Sequence, residues 1–132
     1  FSKNNFKIDP DYKSTLAQVP LDKIFDNGPS KTYFDIGVLA ISNDLVFVHI
    51  SAEVCNDIGY LIPKGKFKII KVGCTNFTFG YLPTNAMVHE GGYEVNGHLK
   101  HFGLIGTLNT NIDNTIKETM ISCFRRIKLI RN

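Results

Sequence analysis

The sequence predicts an all-β, mainly antiparallel domain closed into a barrel or sandwich, with the last segment either a strand or a short helix. Residues Tyr33–Ile41 and Val46–Val54 alternate apolar and polar at period two on either side of Ser42-Asn43-Asp44, the pattern of an antiparallel hairpin. Further runs rich in aromatic and β-branched residues recur between turn clusters, making roughly seven or eight strands. The chain has 132 residues, 43% hydrophobic and 20% charged, which fits one domain, 1–132, with its own core.

In chain order, residues 1–5 are polar and expected to fray. Phe6–Lys13 reads as an extended segment halted at Pro10, because the residue before proline is pushed out of the helical region. Ser14–Asp26 is ambiguous, with Pro20 forbidding one continuous helix, and Asp26–Ser30 is a turn cluster. In the hairpin, Phe34, Ile36, Val38 and Ala40 share one face, as do Val46, Val48, Ile50, Ala52 and Val54. Ile62–Gly65 forms a second turn, and Phe67–Val72 reads as a strand whose alternation slips at Ile69-Ile70. Phe77, Phe79 and Tyr81 line one face of the next strand, which Pro83 stops.

Gly91-Gly92 and Asn96-Gly97 are both strong hairpin dipeptides. Placing the turn at Asn96-Gly97 pairs Val95 with His98, Tyr93 with Lys100 and Gly91 with Phe102. Thr107–Asn114 is a polar link. In the final segment Ile112, Ile116, Met120, Cys123, Phe124, Ile127 and Ile130 cluster at helical spacing, with Thr115–Glu118 a possible capping box. A strand reading instead puts Ile121, Cys123, Ile127 and Leu129 together. Periodicity favours the helix.

Composition excludes several classes of function. A net charge of +3 is too weak for a nucleic-acid footprint by itself. No run of about 18 apolar residues is present, so no membrane association is expected. Cys55, Cys74 and Cys123 are odd in number, widely spaced and without a CxxC pair, which argues against a disulfide framework or a zinc ribbon. Each is expected to behave as a small buried apolar residue. With no secretory leader pattern, the expected location is nuclear or cytoplasmic.

Three of the four histidines lie between Met87 and Leu108. A metal site from His89, Glu94, His98 and His101 is not expected, because His98 and His101 differ in strand parity and no HxH is present. A metal-independent ribonuclease needs a base, an acid and a lysine; His89, His98, His101 and Lys100 supply those types. Histidines on a half-exposed hairpin are more often plain surface, so catalysis is the less favoured reading. His49-Ile50-Ser51 has the form of one 2H phosphoesterase motif, but that chemistry requires two copies. Lys64, Lys66 and Lys68, with Arg125 and Arg126, are basic runs. Beside Phe77, Phe79 and Tyr81 they could make a weak single-strand nucleic-acid groove on an OB-like barrel, but a solvated strand face with its aromatics in the core is the favoured reading.

The order of landmarks resembles a known family. Ile8-Asp9-Pro10 lies near the start, Asp35-Ile36-Gly37-Val38 leads into Val46–Val54, and Met87–Val95 carries Gly92-Tyr93. Phe102-Gly103-Leu104-Ile105 follows, and Cys123-Phe124-Arg125-Arg126-Ile127 lies near the end. These are similar to the small β-barrel subunit common to eukaryotic nuclear RNA polymerases I, II and III, the eighth subunit in the usual naming. The family's second glycine after the aromatic is missing, the Ala40–Leu45 link is short, and the chain is basic where the family is acidic. The resemblance implies an OB-like barrel of about eight strands and a terminal strand in place of the helix. It also implies a non-catalytic, cofactor-free accessory subunit docked on a larger protein subunit. The contacts would be Ile8, Asp9 and Pro10, with Phe102, Gly103, Leu104 and Ile105.

Overall fold

A computed structural model describes residues 12–29 and 31–130. Four strands form its main sheet: β1 (Lys13–Pro20), β3 (Tyr33–Ala40), β4 (Leu45–Ile50) and β6 (Lys68–Val72), in the order β1-β3-β4-β6. The short strands β2 (Phe25–Asp26) and β8 (Thr107–Leu108) pair antiparallel, and β5 (Glu53–Val54) and β7 (Tyr81–Leu82) pair parallel. Two helices, α1 (Asn85–Glu90) and α2 (Ile112–Arg126), complete the fold. Among the described residues no helix is long and apolar enough to cross a membrane.

The predicted hairpin forms as expected. Its register pairs Ala40 with Val46, Val38 with Val48 and Ile36 with Ile50. All six side chains are buried on one face, together with Phe34. The ambiguous Ser14–Asp26 stretch resolves into the edge strand β1, a 3-10 turn at Leu21–Lys23 and β2. Pro20 ends β1, where its missing N–H costs no ladder bond. β6 lies parallel to β4, so residues 51–67 cross between them, partly as a 3-10 turn at Asn56–Leu61.

The C-terminal segment is the helix that periodicity favours, and the strand implied by the resemblance does not form. Ile112, Ile116, Met120, Cys123 and Phe124 are all buried on one stripe of α2, which packs over β1 and β3. Its N-cap is Asn111, so the Thr115–Glu118 capping box lies inside the helix; Thr119 donates back to the Thr115 carbonyl at 2.7 Å. Asn85 and Asp113 exchange two hydrogen bonds of 2.9 and 3.2 Å that lock the start of α1 to the first turn of α2. At the other end the Leu129 N–H donates to the Phe124 carbonyl at 2.9 Å, and Lys128 takes φ +60° to close the helix.

The molecule is strand-rich with a mixed sheet, and among the described residues the sheet does not close into a barrel: β1 and β6 are its two edges. The reason lies in residues 73–106, read from sequence as three strands. Cys74, Asn76 and Gly80 adopt φ of +52°, +53° and +140°, so of the expected Phe77–Tyr81 ladder only Tyr81, with Leu82 after it, pairs with another strand. Gly91 and Gly92, at φ +79° and +108°, terminate α1 rather than bend a strand. Tyr93–Gly97 then winds as a π-turn closed by the His98 N–H on the Tyr93 carbonyl at 3.0 Å. The predicted pairings of Val95 with His98, Tyr93 with Lys100 and Gly91 with Phe102 therefore do not occur, and no strand forms over Phe102–Ile105.

Candidate functional site

Strand parity divides the main sheet into two faces. The inner face is covered by α2, and the Cys123 thiol donates to the Ile36 carbonyl at 3.9 Å. The outer face carries residues of the opposite parity, and it too divides in two. At one end Gln18 and Asp35 are register partners, as are Gly37 and His49. The 73–78 segment straps this end: Asn76 donates to the Asp35 carboxylate at 3.0 Å, and His49 Nδ1 lies 3.1 Å from the Thr75 hydroxyl. Beneath it, the Asp35 N–H donates to the buried Ser51 hydroxyl at 2.6 Å. Burial lowers the His49 pKa, with Asp35 opposing more weakly.

Among the described residues the other end of the outer face has no such strap. Leu39, Phe47 and Ile70 form one cross-strand row, with Leu16 and Leu45 beside it. Leu16 is 49% exposed and Ile70 41%, while Leu39, Leu45 and Phe47 are half-buried. Tyr33, on the same parity at the far end of β3, is also exposed. These side chains alternate with the buried set, so the pattern of alternation that fixes the core also builds this surface.

A second cluster carries the tuned titrating groups. Glu53 and Tyr81 are register partners in the parallel β5–β7 pair. Glu53 beside it, more than desolvation, pushes the Tyr81 phenol pKa up to about 12. Burial first, then Glu94, Glu53 and Asp57, push the Cys55 thiol up to about 11, so it stays protonated near neutrality and is a poor nucleophile. His98 is fully buried and its pKa is lowered by desolvation. Its Nδ1 faces the Tyr93 carbonyl at 3.3 Å, which assigns the neutral tautomer with the proton on Nδ1. Nε2 is buried without a partner. The ring packs edge-on against Tyr81 at 5.3 Å and Phe102 at 6.0 Å. A Cβ on Gly80 would sit 2.8 Å from the ring, so glycine is required there.

The histidines proposed from sequence are not brought together. His98 is in the interior, whereas His89, His101 and Lys100 are exposed. His101 Nδ1 reaches its own turn, 3.2 Å from the Gly97 carbonyl. Among the described residues no group of three His, Cys, Asp or Glu side chains is placed to hold a metal ion. Ile8, Asp9 and Pro10 lie outside the described residues. Phe102 and Ile105 are exposed at 43% and 78%, Gly103 is exposed at φ +65° and Leu104 is half-buried, all in irregular chain. Lys64, Lys66 and Lys68 are exposed before and at the start of β6, and Arg125 and Arg126 are exposed at the end of α2. Phe67 stacks on Phe124 at 5.6 Å, which ties the lysine-bearing loop to that helix end. Phe77 is 71% exposed, whereas Phe79 is in the core against Phe34 at 5.3 Å. Cys74 is exposed, contrary to the expectation that all three cysteines are buried. The Glu53–Tyr81–His98 cluster was not legible as a unit, because a two-residue parallel pairing leaves no periodic signal.

No family model, no curated protein and no solved structure matches this chain.

Proposed function

We propose that this chain is a docking domain for a larger protein, with the unstrapped end of the outer sheet face as its contact. The observation that carries this is the Leu39–Phe47–Ile70 row, half-buried at Leu39 and Phe47 and exposed at Ile70, with the exposed Leu16 beside it and the 73–78 segment covering the rest of the same face. Contiguous apolar surface of this kind marks protein interaction sites more often than free solvent boundary. Among the described residues β1 and β6 are the edges that flank it, and they offer backbone pairing to a partner. This reading retains the accessory, non-catalytic role implied by the polymerase-subunit resemblance. It does not rest on that family, whose barrel and terminal strand are not features of the described residues. The test is isolation of the native assembly with wild-type chain and with Leu16→Lys/Ile70→Lys. A stoichiometric partner retained by the first and lost by the second supports the reading; a wild-type chain that runs alone removes it.

The pairing of Glu53 with Tyr81 in the β5–β7 register favours a second reading, an acid–base site built on a carboxylate beside a phenol. Replacing Glu53 with Gln removes the charge that holds the Tyr81 proton, so the phenol should titrate nearer the usual tyrosine value of about 10. Ultraviolet titration of wild type against Glu53→Gln reads this directly. An unmoved high-pH tyrosine transition would show that Glu53 is not the partner, and the acid–base reading would go with it. The ribonuclease alternative through His89, His98 and His101 has no comparable geometric support.

A further inference from the structure

A recess of about 280 Å³ opens between the end of the 3-10 turn and α2, walled by Tyr60, Ile62, Pro63, Lys64, Lys117 and Ile121. We propose that it binds a nucleoside monophosphate, with the base against Tyr60 and the apolar floor and the phosphate between Lys64 and Lys117.

Four features point to that ligand. First, the two lysines come from distant parts of the chain, a loop and a helix, and line the same recess. No carboxylate is among the residues walling it, and the sequence from Ile58 to His89 contains no Asp or Glu. The nearest acidic neighbours on α2 are turned to other work: Asp113 is engaged with Asn85, and Glu118 lines a separate recess with Lys23 and Arg126. Positive potential in the recess is thus left for an anion, and two ammonium groups suit a phosphate carrying up to two charges.

Second, Tyr60 is 74% exposed although its neighbours Leu61 and Ile62 turn inward. An exposed ring at the mouth of an apolar recess offers a π-face to a planar base, the contact that holds bases in single-strand binders. Third, Lys71 Nζ lies 6.0 Å from the Tyr60 ring centroid, a cation–π contact that limits the ring's freedom. Fourth, the volume is just under the usual range for small-molecule pockets, which begins near 300 Å³. It suits one base and one phosphate and is too small for a dinucleotide.

The test is a two-dimensional NMR titration of the folded chain with adenosine monophosphate, adenosine and inorganic phosphate. We expect saturable shifts at Tyr60–Lys64, Lys117 and Ile121 with adenosine monophosphate, and binding at least about tenfold weaker for either fragment alone. Lys64→Gln/Lys117→Gln should weaken binding by about tenfold or more, and Tyr60→Ala by several-fold. All three side chains are exposed or at the rim, so an unchanged spectrum elsewhere verifies the fold of each variant. No saturation at those resonances up to about 10 mM ligand overturns the proposal. Phosphate binding as tightly as the nucleotide also overturns it, because the recess would then be only a patch of positive charge. Binding that the variants do not weaken places the ligand elsewhere and has the same consequence.

Discussion

The two faces of the four-stranded sheet are built by alternate residues of the same strands, yet they differ in what holds them. On the inner face Phe34, Ile36, Val38, Val46, Val48 and Ile50 are fully covered by α2 and the crossing segments. On the outer face the polar end is satisfied by strap contacts to Asp35 and His49, and the apolar end is left at the surface. The inner face therefore sets stability, and the outer face sets what the molecule can meet.

The largest effect should come from breaking the inner face. Phe124 is fully buried on α2 and stacks with Phe67. Phe124→Ala removes that stack and opens a cavity under the helix, at a cost of about 3–5 kcal/mol. For a domain of ordinary stability this is most of the total. Urea denaturation should show a midpoint falling in proportion, and a loss under about 1 kcal/mol would mean that α2 does not form the lid of the core.

The inner face was also what the sequence disclosed best, for a physical reason. Tyr33–Ala40 and Leu45–Ile50 carry an unbroken period of two, and Ile112–Phe124 an unbroken period near 3.6, so pairing and burial follow from spacing alone. Residues 73–106 were misread as strands because their conformation depends on particular backbone angles and on contacts remote in sequence. Glycine pairs signal a reversal, but they do not say whether the chain enters it from a strand or from a helix; here Gly91-Gly92 ends α1. The burial of His98 depends on Tyr81 and Gly80, which no local pattern links to it. Of the proposed site residues, the exposure of Lys64, Lys66 and Lys68 was readable from charge, whereas the convergence of Lys64 with Lys117 needed the helix to be placed.

At the strapped end of the outer face, Gly37 and His49 give a second, smaller test. A Cβ at Gly37 would collide with the His49 imidazole, so Gly37→Ala must swing that ring away from Thr75. The loss of that hydrogen bond should cost about 1 kcal/mol. In a His49→Ala background the ring is gone, and the same glycine substitution should cost much less. A double-mutant cycle measures the difference; equal costs in both backgrounds would show that ring and glycine do not interact.

Acid should weaken the molecule through two imidazoles, the buried His98 and the half-buried His49. His49 and His98 have folded pKa values below the ordinary imidazole value of about 6.5 because burial disfavours the charged ring. Below that value the unfolded chain takes up protons that the folded chain refuses, so stability is complete above about pH 6.5 and declines as pH falls. His98 is the more enclosed of the two and should carry more of the decline. His98→Asn should be less stable at neutral pH but flatter between about pH 6.5 and 5. A wild-type stability curve already flat over that interval would contradict the burial assigned to both rings.

The smallest effect on stability is expected at the unstrapped end, and there the small size is itself the informative result. Leu16 and Ile70 are each more than 40% exposed, and in Leu16→Lys/Ile70→Lys the aliphatic lysine stem can keep covering the part that is not exposed. The substitution should change unfolding free energy by no more than about 0.5 kcal/mol per site. The same change places two ammonium groups across the Leu39–Phe47–Ile70 row, where a docked protein would have to desolvate them at a cost of several kcal/mol. If the row is a contact, the variant keeps its fold and melting behaviour and loses its partner. If it is merely tolerated surface, both properties stay as they were. A large loss of stability would show instead that the row is part of the core, and the division of the outer face into a strapped and an open end would be wrong.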